Sequence, residues 1–294
     1  TKYSNIRDPD DFAKGTLFGK KKVKANQLRW QSGVIKKSIT VLQNKKLVKM
    51  ATRIHKDLLG YAGDKSMSFP ATLAQDILEK GSQNPDLVDE IYIQIMKHLT
   101  ENPRPESSRA GWQVMCMAVG AFPPSTELEN YLLNFILAEV DGAGSVGRYA
   151  RYALRRLEGI MDSGASGYVP NVEDIQAFKE RPPILATIEM VDGTLLTEDL
   201  PITPDLNVSK VLDICSHFME LQDPRQQYFG IFVYELDSED AEVSLDPAVP
   251  TRPDGTLKVT PRPLQNDSFM GDVVVTKSRL GIDFKFVYKR KVFL

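Results

Sequence analysis

Residues 181–200 read RPPILATIEMVDGTLLTEDL, and the spacing of apolar residues changes within this stretch. Proline has no backbone N–H donor and restricts the residue before it, so the two prolines should end a helix near Lys179. Beyond them, residues 184–190 alternate apolar with other side chains, and Asp192-Gly193 suits a tight hairpin turn. The sequence therefore predicts two domains, residues 1–181 and 182–294.

The residues before this boundary have a helical pattern. Apolar side chains recur at intervals of three and four, which is typical of amphipathic helices. Residues 35–42 and 47–58 fit this spacing as two consecutive helices, and Gly60 can end the second. A compact all-helical domain is predicted, with further helices at residues 69–80, 85–99, 111–119, 127–140 and 146–157.

The residues after the boundary predict a small α+β domain with a helix across one sheet. The helix is expected at residues 208–221, with Asn207 as its N-cap. Strands are expected at residues 228–236 and 282–293, and residues 247–267, rich in Pro, Asp and Asn, should form a long loop. The apolar face of the helix is predicted to consist of Val211, Leu212, Cys215, Phe218 and Met219.

Composition excludes a disordered chain. The 294 residues are 42% hydrophobic and 26% charged, with a net charge of −2. No run approaches the roughly 18 apolar residues of a membrane span, and the first residues are polar, so we expect a soluble intracellular protein. Cys116 and Cys215 lie far apart, and three histidines in all argue against a structural zinc site. Two buried, reduced thiols are expected, with no metal and no cofactor.

The sequence contains motifs that resemble catalytic or nucleotide-binding sites, but the residues around them do not fit such sites. Residues 142–147 read GAGSVG, the string of dinucleotide-binding turns, but the residues before them have helical rather than strand spacing. A loop between two helices is therefore favoured over a nucleotide site. The three histidines lie in helical patterns without a visible nucleophile partner. We predict that the protein is not an enzyme.

Two rows of basic residues are candidates for binding an acidic partner. Each row recurs at helical spacing and opposes an apolar face, so its side chains should converge. The first 60 residues also carry 15 Lys and Arg against 4 Asp and Glu, although such runs are often only solvated surface. No exposed aromatics alternate with the basic residues, which disfavours nucleic acid as the partner. The rows are Lys45, Lys49, Arg53 and Lys56, and Arg148, Arg151, Arg155 and Arg156.

Five segments in order resemble the signature of a MyTH4 domain, and residues 184–294 resemble the first, ubiquitin-like lobe of a FERM domain. The pair is similar to the tail of an unconventional myosin, most of all to class seven. Residues 159–170 depart from the family, which commonly has a basic residue and two prolines there. The segments are Leu59-Gly-Tyr-Ala-Gly-Asp64, Leu87-Val-Asp-Glu-Ile-Tyr-Ile-Gln94, His98-Leu-Thr-Glu-Asn-Pro103, Arg109-Ala-Gly-Trp-Gln113 and Phe122-Pro-Pro-Ser125.

The resemblance implies an all-α MyTH4 bundle followed by an α+β ubiquitin-like β-grasp lobe, the first lobe of a FERM domain. It implies a non-enzymatic module that binds peptides of cargo or adaptor proteins near the connection between the domains, where Arg181, Pro182 and Pro183 are candidates. The resemblance implies three other partners. These are microtubules, bound on basic helical faces, the protein's own motor domain, bound in autoinhibition, and lipid, bound through further FERM lobes.

The resemblance also implies a cytoplasmic, cytoskeleton-associated protein at the cell cortex or in filopodia. Two alternatives stay open at this point. One is a membrane-proximal scaffold whose basic rows meet anionic lipid, since each basic residue near such a membrane contributes about 1 kcal/mol. The other is the equivalent tail of a kinesin, because some kinesins carry the same pair of domains.

Overall fold

The computed structural model describes residues 3–16, 19–164, 168–181, 183–221, 228–236 and 263–291. The chain divides into two compact units, Thr1–Pro183 and Ile184–Leu294. In the described residues, none of the helices is both long and apolar enough to cross a lipid bilayer.

The first unit is helical, as predicted. Within its described part the elements are α1 (Pro9–Phe12), α2 (Lys20–Ala25), α3 (Lys45–Tyr61), α4 (Pro70–Gln83), a 3-10 turn (Pro85–Leu87), α5 (Val88–Leu99), α6 (Pro105–Ala121), α7 (Thr126–Leu137), α8 (Ser145–Ser163) and α9 (Val172–Glu180).

Local chemistry explains where several helices begin. Proline is the first residue of α4 and α6, where its missing N–H costs nothing and its fixed φ favours the helix. The Ser125 side chain accepts a hydrogen bond from the Leu128 N–H and caps α7. Asn171 and Asp174 form a reciprocal capping box at the start of α9. These signals lie in the sequence, and they place the helix starts.

The predicted helix at residues 35–42 is wrong. This segment is not helical, although Ile35 and Ile39 are buried as their spacing suggested. Thr40 instead pairs with Ile6 in an isolated antiparallel bridge. Gly60 was also expected to end the next helix, but it lies inside α3, and Gly63 with a φ of +75° follows the helix end.

Glu90 on α5 explains why residues 35–42 stay extended. Its carboxylate is fully buried and accepts hydrogen bonds from the backbone N–H groups of Ile39 (2.9 Å) and Thr40 (2.6 Å), and from the Thr40 hydroxyl (2.6 Å). The Gln94 side-chain amide donates to the same carboxylate at 2.7 Å and to the Ala51 carbonyl of α3 at 2.9 Å. A helix over residues 35–42 would use these backbone donors internally, so the carboxylate selects the extended form.

A second polar cluster surrounds the buried Asp64 side chain and links two of the segments that resemble the family signature, through Asp64 and His98. The Asp64 carboxylate accepts hydrogen bonds from the Trp30 indole (3.1 Å), the Arg104 guanidinium (2.7 Å) and the Ser107 hydroxyl (2.7 Å). The His98 ring lies 3.1 Å from the Ser107 hydroxyl. Three distant parts of the chain, at residues 30, 64 and 104–107, therefore meet at one carboxylate.

Lys97 attaches the residues after α2 to the helical core. Its side chain is buried, and its ammonium donates to the carbonyls of Asn26 and Arg29 and, at 3.3 Å, to the side-chain oxygen of Gln31. Burial lowers the pKa of Lys97 to about 7.

In its described residues the second unit is a four-stranded sheet with helices, which agrees with the predicted α+β class. Its described elements are β1 (Leu185–Met190), β2 (Leu195–Pro201), α10 (Val208–Phe218), β3 (Phe229–Leu236), α11 (Met270–Arg279) and β4 (Asp283–Arg290). The strand order is β2-β1-β4-β3, with β1 and β4 parallel and the other pairs antiparallel. This mixed sheet, with its first and last strands adjacent in the middle, has the β-grasp arrangement. Its core contains Ile188, Val211, Cys215, Ile231, Phe286 and Tyr288.

Two details of the second unit differ from the prediction. Phe218 and Met219 were assigned to the apolar face of α10 but are 58% and 37% exposed. Periodicity predicts which face of a helix is buried, but it does not predict at which residue along the helix the burial stops. Here α10 ends at Phe218, so Phe218 and Met219 lie at its exposed end. The helix α11 was not predicted, because Met270 is its only buried residue. The predicted loop at residues 247–267 lies outside the described residues up to position 262.

Both cysteines are free and buried, as predicted, and burial raises the pKa of each thiol. Of the histidines, His55 and His98 are buried in α3 and α5, and His217 is exposed on α10. Burial, together with the nearby Lys97 and His98, lowers the pKa of His55 to about 3.

Replacing Glu90 with glutamine should lower the free energy of unfolding of the first unit by about 2–4 kcal/mol, because the new amide would direct N–H groups at backbone donors. Urea unfolding followed by tryptophan fluorescence measures this unit alone, since Trp30 and Trp112 both lie in it. Glu139→Gln, at an exposed position without a side-chain partner in the described residues, should change stability by less than about 0.5 kcal/mol. Equal effects of the two changes would contradict this role of Glu90.

Acid should destabilise the first unit through His55. Between pH 6.5 and about 3 the unfolded chain binds a proton on this residue and the folded chain does not, so stability falls as the pH falls. The slope from His55 is at most about 1.4 kcal/mol per pH unit, and His98, whose pKa burial also lowers, adds in the same direction. In urea titrations at pH 7, 6 and 5, His55→Leu should flatten the dependence, whereas His217→Leu should not. An unchanged slope in His55→Leu would refute the assignment.

Candidate functional site

The first turns of α3 carry exposed lysines. Lys45, Lys46 and Lys49 are exposed, and none of them has an acidic partner among the described residues. The opposite face of α3 is buried through Ala51, Ile54 and Leu58. The predicted row omits Lys46, because Lys46 lies about 100° around the helix axis from Lys45. In the structure Lys46 is nevertheless exposed in the same first turn as Lys45.

This placement is electrostatically unusual. A helix N-terminus carries a partial positive charge, so acidic residues stabilise it and lysines destabilise it. The first turn of α3 contains no acidic residue, and the Asn44 side chain caps it by accepting from the Lys46 N–H at 2.7 Å. The charges of the lysines therefore add to that of the helix end and concentrate positive potential on one surface.

The other members of the first row have a different environment. Arg53 lies 2.8 Å from the carboxylate of Asp57, whose side chain is fully buried, and Lys80 of α4 lies 3.9 Å from the same carboxylate. Burial raises the pKa of Asp57, and the two cations lower it in part. Arg53 thus neutralises a buried charge as well as facing solvent. Lys56 is partly buried.

The second predicted row, on α8, is largely engaged in contacts within the unit. Arg151 donates to the Val140 carbonyl at 2.8 Å, and Arg156 donates to the Gly120 carbonyl at 3.4 Å. Arg155 pairs with Glu158 at 3.0 Å, while Arg148 is exposed. The helix α3 packs on α4 and α5, whereas α8 packs on α6 and α7, so the two rows have different neighbours.

The glycine string connects two helices, as predicted. Gly144, with a φ of +66°, directly precedes α8. Gly147 lies in the first turn of α8, where an added Cβ would come within 2.4 Å of the Gly142 carbonyl oxygen. The glycines permit a close backbone approach between the connecting segment at Gly142 and the first turn of α8, and no strand precedes them as a dinucleotide site requires.

Ser107, His98 and Asp64 do not form a catalytic triad. In a triad the carboxylate orients the histidine, which in turn accepts the proton of the nucleophile. Here Asp64 accepts its hydrogen bond from Ser107 itself, and both Ser107 and His98 are buried. The cluster instead joins helices. Within the described ranges, no three His, Cys, Asp or Glu side chains are grouped to hold a metal ion.

The predicted junction residues follow α9. Arg181 is the residue after the helix end and is exposed, and Pro183 is buried. Pro182 lies outside the described residues.

Sequence comparison relates this chain to myosins. Residues 74–177 match the family model of the MyTH4 domain. The high molecular weight form of myosin-1 from Acanthamoeba castellanii is 38% identical over 178 residues, which are 60% of this chain and 11% of that protein. Myosin-VIIa from Drosophila melanogaster is 34% identical over 144 residues, 47% of this chain and 6% of that protein. The chain thus spans about a tenth or less of the length of these relatives.

Comparison with solved structures extends the likeness to both units. A mutant of the MyTH4-FERM MF1 domain of Dictyostelium discoideum myosin VII has a TM-score of 0.57 at 21% identity, covering 99% of this chain and 55% of that one. The C-terminal MyTH4-FERM domain of human myosin 7b, solved in complex with the harmonin-a PDZ3 domain, has a TM-score of 0.53 at 20% identity, covering 99% and 54%. At these identities the likeness shows the fold. Residues 74–177 thus carry the match to a MyTH4 domain, and the chain as a whole is similar in fold to the MyTH4-FERM modules of myosins.

Proposed function

We propose that this chain is a non-enzymatic, cytoskeleton-associated binding module of a myosin tail, and that its α3 lysines contact an acidic partner such as a microtubule. The observation that carries the proposal is a group of exposed lysines at the start of α3 with no acidic partner in the described part of the chain, namely Lys45, Lys46 and Lys49. A helix start without acidic residues is less stable than it could be, and a binding role explains why the charges are there.

The comparisons support the general part of this proposal. The relatives are myosins, and the human myosin 7b module was solved with a protein partner bound. The MyTH4 match begins at residue 74, within α4, so α3 lies outside the matched residues. Support for the α3 surface therefore comes from its charge and exposure.

We also propose that peptides of cargo or adaptor proteins bind near Arg181, Pro182 and Pro183. This proposal rests on the resemblance to the family and on the exposure of Arg181. Autoinhibition of a motor domain, lipid binding, and a location at the cell cortex or in filopodia are further proposals from the same resemblance.

The double change Lys45→Glu/Lys49→Glu should weaken binding to microtubules. If each lysine contributes about 1 kcal/mol near an anionic surface, the loss of two raises Kd by roughly 30-fold at low ionic strength, and repulsion by the two new glutamates raises Kd further. The difference should shrink as salt is added, since screening weakens exposed charges. Co-sedimentation of the chain with polymerised tubulin over a range of salt concentrations measures both effects.

Two controls make the result specific. Lys14→Glu/Lys65→Glu changes the net charge equally at exposed lysines without a side-chain partner in the described residues, and it should leave Kd within about twofold. Arg53 is left intact, because its loss would leave the buried Asp57 carboxylate without its nearest cation and would lower the stability of the fold. Equal weakening by both double variants, or by neither, would refute the α3 contact. Binding to phosphatidylserine vesicles but not to tubulin would favour the lipid alternative.

A further inference from the structure

A cleft of about 900 Å³ opens in the first unit. It lies between the segment that leads into α3, the end of α4 with the 3-10 turn after it, and the connection from α6 to α7. Every residue that lines it is described and belongs to the first unit. Neither basic row lines this cleft, so the function proposed above does not account for it.

One wall of the cleft is apolar and held in place. Val41 is 49% exposed, and Leu42 and Leu47 are partly buried beside it. The Val41 N–H donates to the Asn5 carbonyl at 3.0 Å, and the preceding residue is the Thr40 that Glu90 binds. A wall fixed in this way needs no ordering when a ligand binds, which favours affinity.

The facing wall is rigid as well. Pro85 and Pro123 line it and are exposed, and proline holds its own φ near one value. Phe122 is buried beneath them, where its carbonyl accepts the Tyr92 hydroxyl at 2.6 Å and its ring packs edge-on against Tyr92. Preformed concave sites with mostly apolar walls and a few polar groups are typical of ligand-binding clefts.

The charge of the cleft indicates which ligand would fit. Its charged lining residues are Asp86 and Asp89. Asp89 is occupied, because it accepts from the Tyr3 hydroxyl (2.7 Å), the Ser125 N–H (3.0 Å) and the Ser125 hydroxyl (2.6 Å). Asp86 is exposed and has no partner in the described part of the chain. The cleft thus offers one free carboxylate beside apolar walls.

We propose that this cleft binds an extended, aliphatic segment of a partner protein, with a lysine or arginine of that segment paired to Asp86. Aliphatic side chains would cover Val41 and Leu47, and the uncharged Gln43 and Ser82 side chains at the cleft can hydrogen-bond to the backbone of the segment. This site selects a basic ligand, whereas the α3 lysines select an acidic one, so the two surfaces bind different partners.

Selection of phage-displayed random hexapeptides on the intact chain tests the proposal. Enriched peptides should combine aliphatic residues with lysine or arginine, and their synthetic forms should bind in a fluorescence anisotropy assay. Asp86→Lys should raise Kd about tenfold or more, because a charge-assisted pair becomes a repulsion. Ser82→Trp should abolish binding by filling the cleft from an exposed position.

A matched control and a folding check complete the test. Asp141→Lys makes the same charge change at an exposed residue outside the cleft and should leave Kd unchanged. Circular dichroism should show that all three variants remain folded. The proposal is overturned if no sequence is enriched, if the enriched peptides are acidic, or if their affinity survives both Asp86→Lys and Ser82→Trp.

Discussion

The buried carboxylate of Glu90 is the constraint on which both proposed surfaces depend. It binds the backbone of Ile39 and Thr40, and its partner Gln94 binds the Ala51 carbonyl of α3. A carboxylate without solvent is stable only when donors surround it, so the segment before α3 must stay extended and close to α5. That segment then supplies one wall of the cleft and leads directly into the lysines at the start of α3.

The two surfaces illustrate how one rigid helical unit can bind by opposite charges. At the start of α3, unpaired lysines add to the positive end of a helix. In the cleft, Asp89 accepts hydrogen bonds from Tyr3 and Ser125, whereas Asp86 has no partner among the described residues and can pair with a ligand. The buried pairs and clusters at Asp57 and Asp64 hold the unit together instead. We therefore assign binding to the α3 lysines and to Asp86, which make no ion pair within the described part of the unit.

Sequence patterns predict the helices, the hairpin and the two fold classes, because burial of one face imposes a period of 3.6 or 2 on long segments. The same pattern gives a wrong prediction for residues 35–42, because Ile35 and Ile39 are buried at a helical interval although the segment is extended and bound to Glu90. The exposure of Phe218 could not be predicted either, because it depends on where the helix ends and not on the spacing of apolar residues. Helical spacing predicts two of the exposed α3 lysines, whereas the cleft is assembled from four separate stretches of the chain, at residues 5, 41–47, 81–89 and 121–125, and leaves no local signal.

Hydrogen–deuterium exchange with and without polymerised tubulin tests the central claim, that this module works by surface recognition at the start of α3. The first backbone N–H groups of a helix lack intrahelical acceptors and exchange quickly in the free chain, so protection there is easily detected. The account predicts slower exchange over residues 43–50 when microtubules are present, with little change in residues 184–294. Protection confined to the second unit, or no protection near α3 under conditions where the chain binds, would contradict it.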